Sequence, residues 1–187
     1  MQAVWYTVDN AIFSGVRGTM KERRYAAVLF TLYGLILIWI VLLKMSFSPE
    51  DITMLRAERS INWIPFHDAA EVGRFRQKEM ILNVIIFIPL GIWLKMFAFS
   101  SRRVLFLGFI SSLTLELFQF LFAIGASDTT DLLTNTLGTA VGLCLYALLR
   151  KLFPNKGKTD RFLNTAATAG LLLFAALTAL LFFANQP

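Results

Sequence analysis

Apolar residues gather in five long runs, over residues 25–44, 80–99, 104–124, 131–150 and 163–184. Each run supplies about 20 residues, or roughly 30 Å of helix, which matches the hydrocarbon core of a bilayer. The pattern predicts an all-α, polytopic transmembrane helical bundle of about five spanning helices. The first run is expected to be a span rather than a cleaved signal. Its apolar stretch is too long, 24 residues precede it, and no small-x-small site follows closely.

Polar residues interrupt two neighbouring runs in a regular way. Glu116 and Gln119 lie inside the third run, and Asp128, Asp131 and Asn135 follow at spacings of three and four. A carboxylate at the centre of a spanning helix costs about 2.5–3.5 kcal/mol on insertion scales, so an ionisable residue there points to function. At about 100° per residue, Ser112, Glu116 and Gln119 share an arc of roughly 60°. Asp128, Asp131, Asn135, Gly138 and Gly142 share about 80° on the fourth helix. Each residue also has a structural reading. Asp128 or Asp131 can cap the fourth helix. Asn135 and Gln119 can join helices by hydrogen bonds, and Gly138 and Gly142 can admit a close neighbour.

Composition agrees with a membrane chain: 57% of residues are hydrophobic and 16% charged, against about 25% charged in soluble domains. Mean hydropathy is +0.63. The net charge of +6 is therefore read as topology rather than as affinity for nucleic acid. One Cys (Cys144) and one His (His67) exclude an intramolecular disulfide and speak against a zinc site.

Basic residues alternate from side to side. Arg17, Lys21, Arg23 and Arg24 precede the first span; Lys95, Arg102 and Arg103 lie between the second and third. Arg150, Lys151, Lys156, Lys158 and Arg161 lie between the fourth and fifth. The positive-inside rule then predicts a cytoplasmic N-terminus and an external C-terminus. Residues 1–24 form a cytoplasmic N-terminal segment, whose first 13 residues include Trp5, Tyr6, Ile12 and Phe13 and suit an interfacial helix. Residues 25–150 form a four-helix membrane domain with an external, lid-like loop at 45–79. Residues 151–187 form a basic cytoplasmic loop and the fifth span.

This orientation gathers the polar residues into one layer. Gln119 and Glu116 come to lie roughly 8 and 12 Å below the outer end of their helix, and Asn135 about 6 Å down its own. Asn83, near the outer end of the second span, shares that layer. Above it lies the loop segment Asn62-Trp63-Ile64-Pro65-Phe66-His67, whose aromatic residues suit the membrane interface. Pro89, in the second span, is expected to kink that helix. The candidate ligand-binding set is Asn62, Asn83, Glu116, Gln119, Asp128, Asp131 and Asn135. Glu116, Asp131 and His67 are the candidates for catalysis.

Taken in order, several of these residues form a recognisable series. It runs Asn62-x-x-Pro65-Phe66, then Asn83 with Phe87-Ile88-Pro89-Leu90-Gly91, then Glu116-x-x-Gln119, and last Asp128-x-x-Asp131-x-x-x-Asn135-Thr136-x-Gly138-x-x-x-Gly142. The series resembles the VanZ-like family of small bacterial membrane proteins, over about residues 30–150. The resemblance implies a multi-helix membrane domain in the bacterial cytoplasmic membrane. The family's founding member is associated with low-level resistance to teicoplanin, a lipoglycopeptide that binds cell-wall precursors outside the membrane. Many members carry an Arg just before the Asp-x-x-Asp pair. Here residues 125–127 are Gly, Ala and Ser.

Three functional readings stand open on the sequence. The first is a pocket for an amphiphile of the outer leaflet, such as a phospholipid, a lipid-linked wall precursor or a lipoglycopeptide, with a link to glycopeptide resistance. The second is a membrane enzyme acting on a lipid-linked substrate. Glu116, Asp128 and Asp131 would there hold Mg²⁺, or Glu116 would serve as general base with His67 as proton carrier. The third is a scaffold for a membrane partner, or a homo-oligomer, joined through the Gly138 and Gly142 face. Otherwise no cofactor, metal or nucleic acid is expected.

Overall fold

The computed structural model describes residues 20–43, 61–66, 74–123 and 127–184. Five helices carry almost all of them: α1 (Met20–Leu43), α2 (Arg74–Met96), α3 (Ser101–Phe122), α4 (Thr129–Leu152) and α5 (Lys156–Ala184). Each is long and apolar enough to cross a membrane. The expected interfacial helix at the N-terminus, His67, residues 185–187 and most of the 45–79 loop lie outside the described residues.

Local sequence sets the ends of the helices. The second helix stops at Met96, three residues before its apolar run does, because a turn with Ala98 at φ 67° intervenes. Ser100 caps α3 by accepting the Arg103 N–H, at 3.4 Å. Asn155 does the same for α5 through the Lys158 N–H, at 3.2 Å. The fifth helix therefore begins seven residues ahead of its apolar run, with polar turns that continue the helix. α2 runs on through Pro89 without a break.

The chain forms two compact units, residues 35–148 and residues 1–34 with 149–187. In the first, α2 and α4 run parallel in very close contact. A Cβ on Gly138 would meet the Val84 carbonyl and stand 2.9 Å from the Phe87 Cβ; one on Gly142 would meet the Ile88 carbonyl. Gly91 of α2 returns the fit against Thr139 and Leu143. Only hydrogen side chains allow backbones this near. The glycine face considered for a second copy is thus filled by α2 of the same chain.

α3 packs antiparallel to α4 along a polar ladder. Gly108 abuts Thr139, the Asn135 Nδ2 donates to Ser112 Oγ at 2.9 Å, and Glu116 meets residues 127–128. Ser112 and Thr139 are fully buried and Asn135 nearly so, whereas Ile85, Leu113 and Leu117 are exposed. Polar residues inside and apolar residues outside reverse the pattern of a water-soluble core, as a hydrocarbon solvent requires.

In the second unit, α1 and α5 run parallel. Arg161 pairs with Glu22 at 2.8 Å, and Tyr25 OH shares a hydrogen bond with Thr168 Oγ1. Within each unit the helix directions are those that successive membrane crossings demand.

Candidate functional site

The site forms where α3 ends and α4 begins. Asp128 stands just before α4, and its Oδ1 accepts the Thr130 N–H at 2.6 Å. It is the N-cap, which satisfies a backbone donor that has no partner within the helix. Its Oδ2 accepts from Asn62 Nδ2 at 3.3 Å. Residues Ile61–Asn62 (β1) and Ser127–Asp128 (β2) form a two-residue parallel bridge, in register Ile61 to Ser127 and Asn62 to Asp128. Periodicity along the chain carries no sign of this bridge.

Further bonds pin residues 61–66 across the top of α4. Thr129 Oγ1 donates to the Asn62 carbonyl at 2.9 Å, and the Phe66 N–H donates to Thr130 Oγ1 at 3.0 Å. Phe66 takes a positive φ of 61°. That region is sparsely populated by bulky residues and is held only by surrounding contacts. The expected lid is therefore a strap, fastened at both ends of the described segment. Trp63 and Ile64 between the fastenings are 74% and 60% exposed, which places their rings and methyls where an interface would meet them.

Glu116, six residues before the end of α3, meets the residues that open α4. Its Oε2 accepts the Asp128 N–H at 2.9 Å, and its carbonyl accepts from Ser127 Oγ at 2.7 Å. A hydrogen bond to a charged group contributes about 1.5–3 kcal/mol, comparable with the insertion cost of a carboxylate. The two bonds fix Glu116 to the start of α4.

A cleft of about 320 Å³ opens beside it. Glu116, Ser127, Asp128 and Thr129 provide its polar floor; Leu113, Leu117, Phe120, Leu132, Ile61 and Trp63 provide its walls. Leu113, Leu117 and Trp63 are also among the exposed residues, so the apolar wall runs on into the outer surface of the helices. The cleft is thus mostly apolar, with the nearly buried Glu116 and Asp128 at its base.

The candidate residues divide into groups. Glu116 and Asp128 line the cleft, and Asn62 braces Asp128. Asn135 is buried against Ser112. Gln119 is buried and donates to the Val41 carbonyl at 3.0 Å, joining the last turns of α3 and α1. Glu116 therefore bonds to neither Gln119 nor Asn135. Asp131 is half-exposed on the first turn of α4, and Asn83 is half-buried on α2; neither lines the cleft. Among the described residues no group of three His, Cys, Asp or Glu side chains is placed to hold a metal ion. The three-carboxylate Mg²⁺ arrangement of Glu116, Asp128 and Asp131 is not formed.

Sequence reasoning missed Ser127, Thr129 and Thr130, and it missed the cleft walls. Leu113, Leu117 and Phe120 lie at −3, +1 and +4 from Glu116. Helical neighbourhood marks Leu113 and Phe120 but not Leu117, and nothing in the sequence says which of two flanks is open.

Comparison with known proteins places the chain. No solved structure matches it. Over 153 residues it is 42% identical to Protein VanZ of Enterococcus faecium, covering 80% of this chain and 88% of that protein. Residues 30–150, which hold the strap, the cleft and the glycine contacts, match the VanZ/LLP1 family. The chain is a member of the VanZ/LLP1 family, a multi-pass membrane protein of bacterial type.

Proposed function

We propose that this protein binds an amphiphile of the outer leaflet in the cleft between α3 and α4. Its polar head rests against Glu116, Ser127, Asp128 and Thr129, and its hydrocarbon lies along Leu113, Leu117, Phe120 and Leu132. The observation that carries this reading is the union, in one cleft, of a carboxylate floor with an apolar wall continuous with the surface. Acidic and hydroxyl groups suit a head that donates hydrogen bonds through amine, amide or hydroxyl. Lipid-linked wall precursors and lipoglycopeptides offer such groups beside an acyl chain. Kinship with Protein VanZ supports a role at the cell envelope linked to glycopeptide resistance. The cytoplasmic membrane, with the strap facing outward, is the location this function requires.

The test uses two variants that act at opposite ends of the cleft. Glu116→Gln keeps an acceptor for the Asp128 N–H and removes the charge. Leu117→Trp fills the cleft from an exposed wall position. Native mass spectrometry of protein taken from its own membrane is expected to find a retained amphiphile in the wild type. Its occupancy should fall by about tenfold in each variant, the factor that goes with a lost charge-assisted bond or a blocked pocket. Teicoplanin tolerance of the host should fall in parallel. Well-folded variants that retain the same amphiphile to the same extent would refute the proposal.

A further inference from the structure

The connection from α4 to α5 borders an open pocket of about 380 Å³, within the range of small-molecule sites. Arg150, Pro154, Asn155, Lys156 and Gly157 line it. Two of these five carry positive charge and none is acidic. The Arg150 guanidinium is held by its own Nη1, which donates to the carbonyls of Phe153 and Pro154 at 3.2 and 2.9 Å. Its other two nitrogens are not engaged by these bonds, and among the described residues Arg150 forms no ion pair. Lys156 stands with its Nζ 3.8 Å from Asp160 Oδ2, a carboxylate side chain only 3% exposed. That contact is too long for a strong hydrogen bond, yet it fixes where the ammonium stands.

The wall around these charges is firm. Thr159 Oγ1 donates to the Phe153 carbonyl at 3.0 Å, and Asn155 Oδ1 accepts the Lys158 N–H. Beside the charged lining, Leu152, Phe153 and Phe162 are exposed at 63%, 45% and 54%, and the two phenyl rings pack 6.0 Å apart. The pocket lies at the junction of two helices that are each long enough to span a membrane. With α4 and α5 both crossing the bilayer, their connection falls at its surface, the level of lipid phosphates.

We infer that this pocket binds the phosphate of an anionic phospholipid. The guanidinium fork matches two phosphate oxygens, and Lys156, whose charge is shared with Asp160, lines the same pocket. Leu152, Phe153 and Phe162 lie against the adjoining acyl chains. A free phosphate ion would share the polar contacts and lack the apolar ones. Its lining shares no residue with the acidic cleft, whose carboxylates do not suit a phosphate.

Full-length protein in neutral detergent, titrated with phosphatidylglycerol, tests this by native mass spectrometry and thermal shift. Diacylglycerol with the same acyl chains and inorganic phosphate serve as the comparison arms. Phosphatidylglycerol is expected to bind and to raise the unfolding temperature, with little effect from either comparison ligand. Arg150→Gln should weaken phosphatidylglycerol binding by about tenfold, as expected when a charge-assisted contact is lost. Arg150→Lys, which keeps a cation and a donor for the two carbonyls, should lose part of that and carries the comparison if Arg150→Gln does not fold. Lys151→Gln removes the same charge from an exposed residue outside the lining and should leave binding within about twofold. Equal losses in the Arg150 and Lys151 variants would overturn the inference in favour of diffuse attraction. Inorganic phosphate as effective as the lipid would overturn it in favour of a free-anion site.

Discussion

Glu116 and Asp128 show how single residues set the chemistry of the cleft. Each was marked in the sequence by its cost, because an acid inside or beside an apolar run needs a reason to be there. The reason is mutual: Asp128 caps α4, and its own N–H satisfies Glu116. Asp128→Ala should therefore destabilise the protein by about 1–3 kcal/mol, through the lost cap and the lost bond from Asn62. Asp128→Asn, which keeps an oxygen for the Thr130 N–H, should cost clearly less. Reversible unfolding in mixed micelles separates the two, and equal losses would count against the cap. Thr130→Val removes the acceptor for the Phe66 N–H. Amide exchange at Phe66 should then speed up by about tenfold, corresponding to one lost hydrogen bond, with little change in α4. Asn62 is a residue whose role the sequence could not reveal, since its partner lies 66 positions away. Gln119 and Glu116 share a helical face, yet one reaches α1 and the other α4. Phase tells which side of a helix is polar but not which neighbour stands opposite.

At the scale of elements, the glycine contacts decide how α2, α3 and α4 meet. The Gly-x-x-x-Gly pair was legible as a close-packing signal, while its partner was not, because small residues admit any helix equally well. Gly91 and Gly108, which complete the fit around Thr139, had no partner in the sequence to give them away. Gly142→Ala should cost about 1–3 kcal/mol, since its Cβ would collide with the Ile88 carbonyl and backbone cannot step aside cheaply. Gly170→Ala on α5 meets nothing within 4 Å and should be neutral or stabilise by up to about 1 kcal/mol through helix propensity. Unfolding of both variants in the same micelles checks the contrast. If Gly142→Ala proved as harmless as Gly170→Ala, the tight α2–α4 contact would be wrong.

For the molecule as a whole, length and hydropathy were enough to count the spans, because a bilayer imposes a minimum that few other structures meet. Lysine and arginine placement adds a direction. That direction is open to measurement in a Cys144→Ser background. A cysteine replacing Glu50 should react with a membrane-impermeant maleimide in intact cells, and one replacing Lys158 only after permeabilisation. The reverse pattern would invert the topology and move the cleft to the inner leaflet. The parallel bridge was hidden from sequence reading for a general reason. Two-residue strands leave no alternation to detect, and their pairing depends on where two entire helices return the chain.

That bridge has a consequence for biogenesis. Parallel strands need a long crossover, and here the crossover is α2 and α3 together. A nascent chain can thread its first three helices into the bilayer while Glu116 still awaits the Asp128 amide and the strap has nowhere to fasten. Only the arrival of α4 completes the latch. Assembly of the cleft thus waits on α4, and a chain truncated before residue 127 lacks both the Glu116 latch and the fastening of the strap.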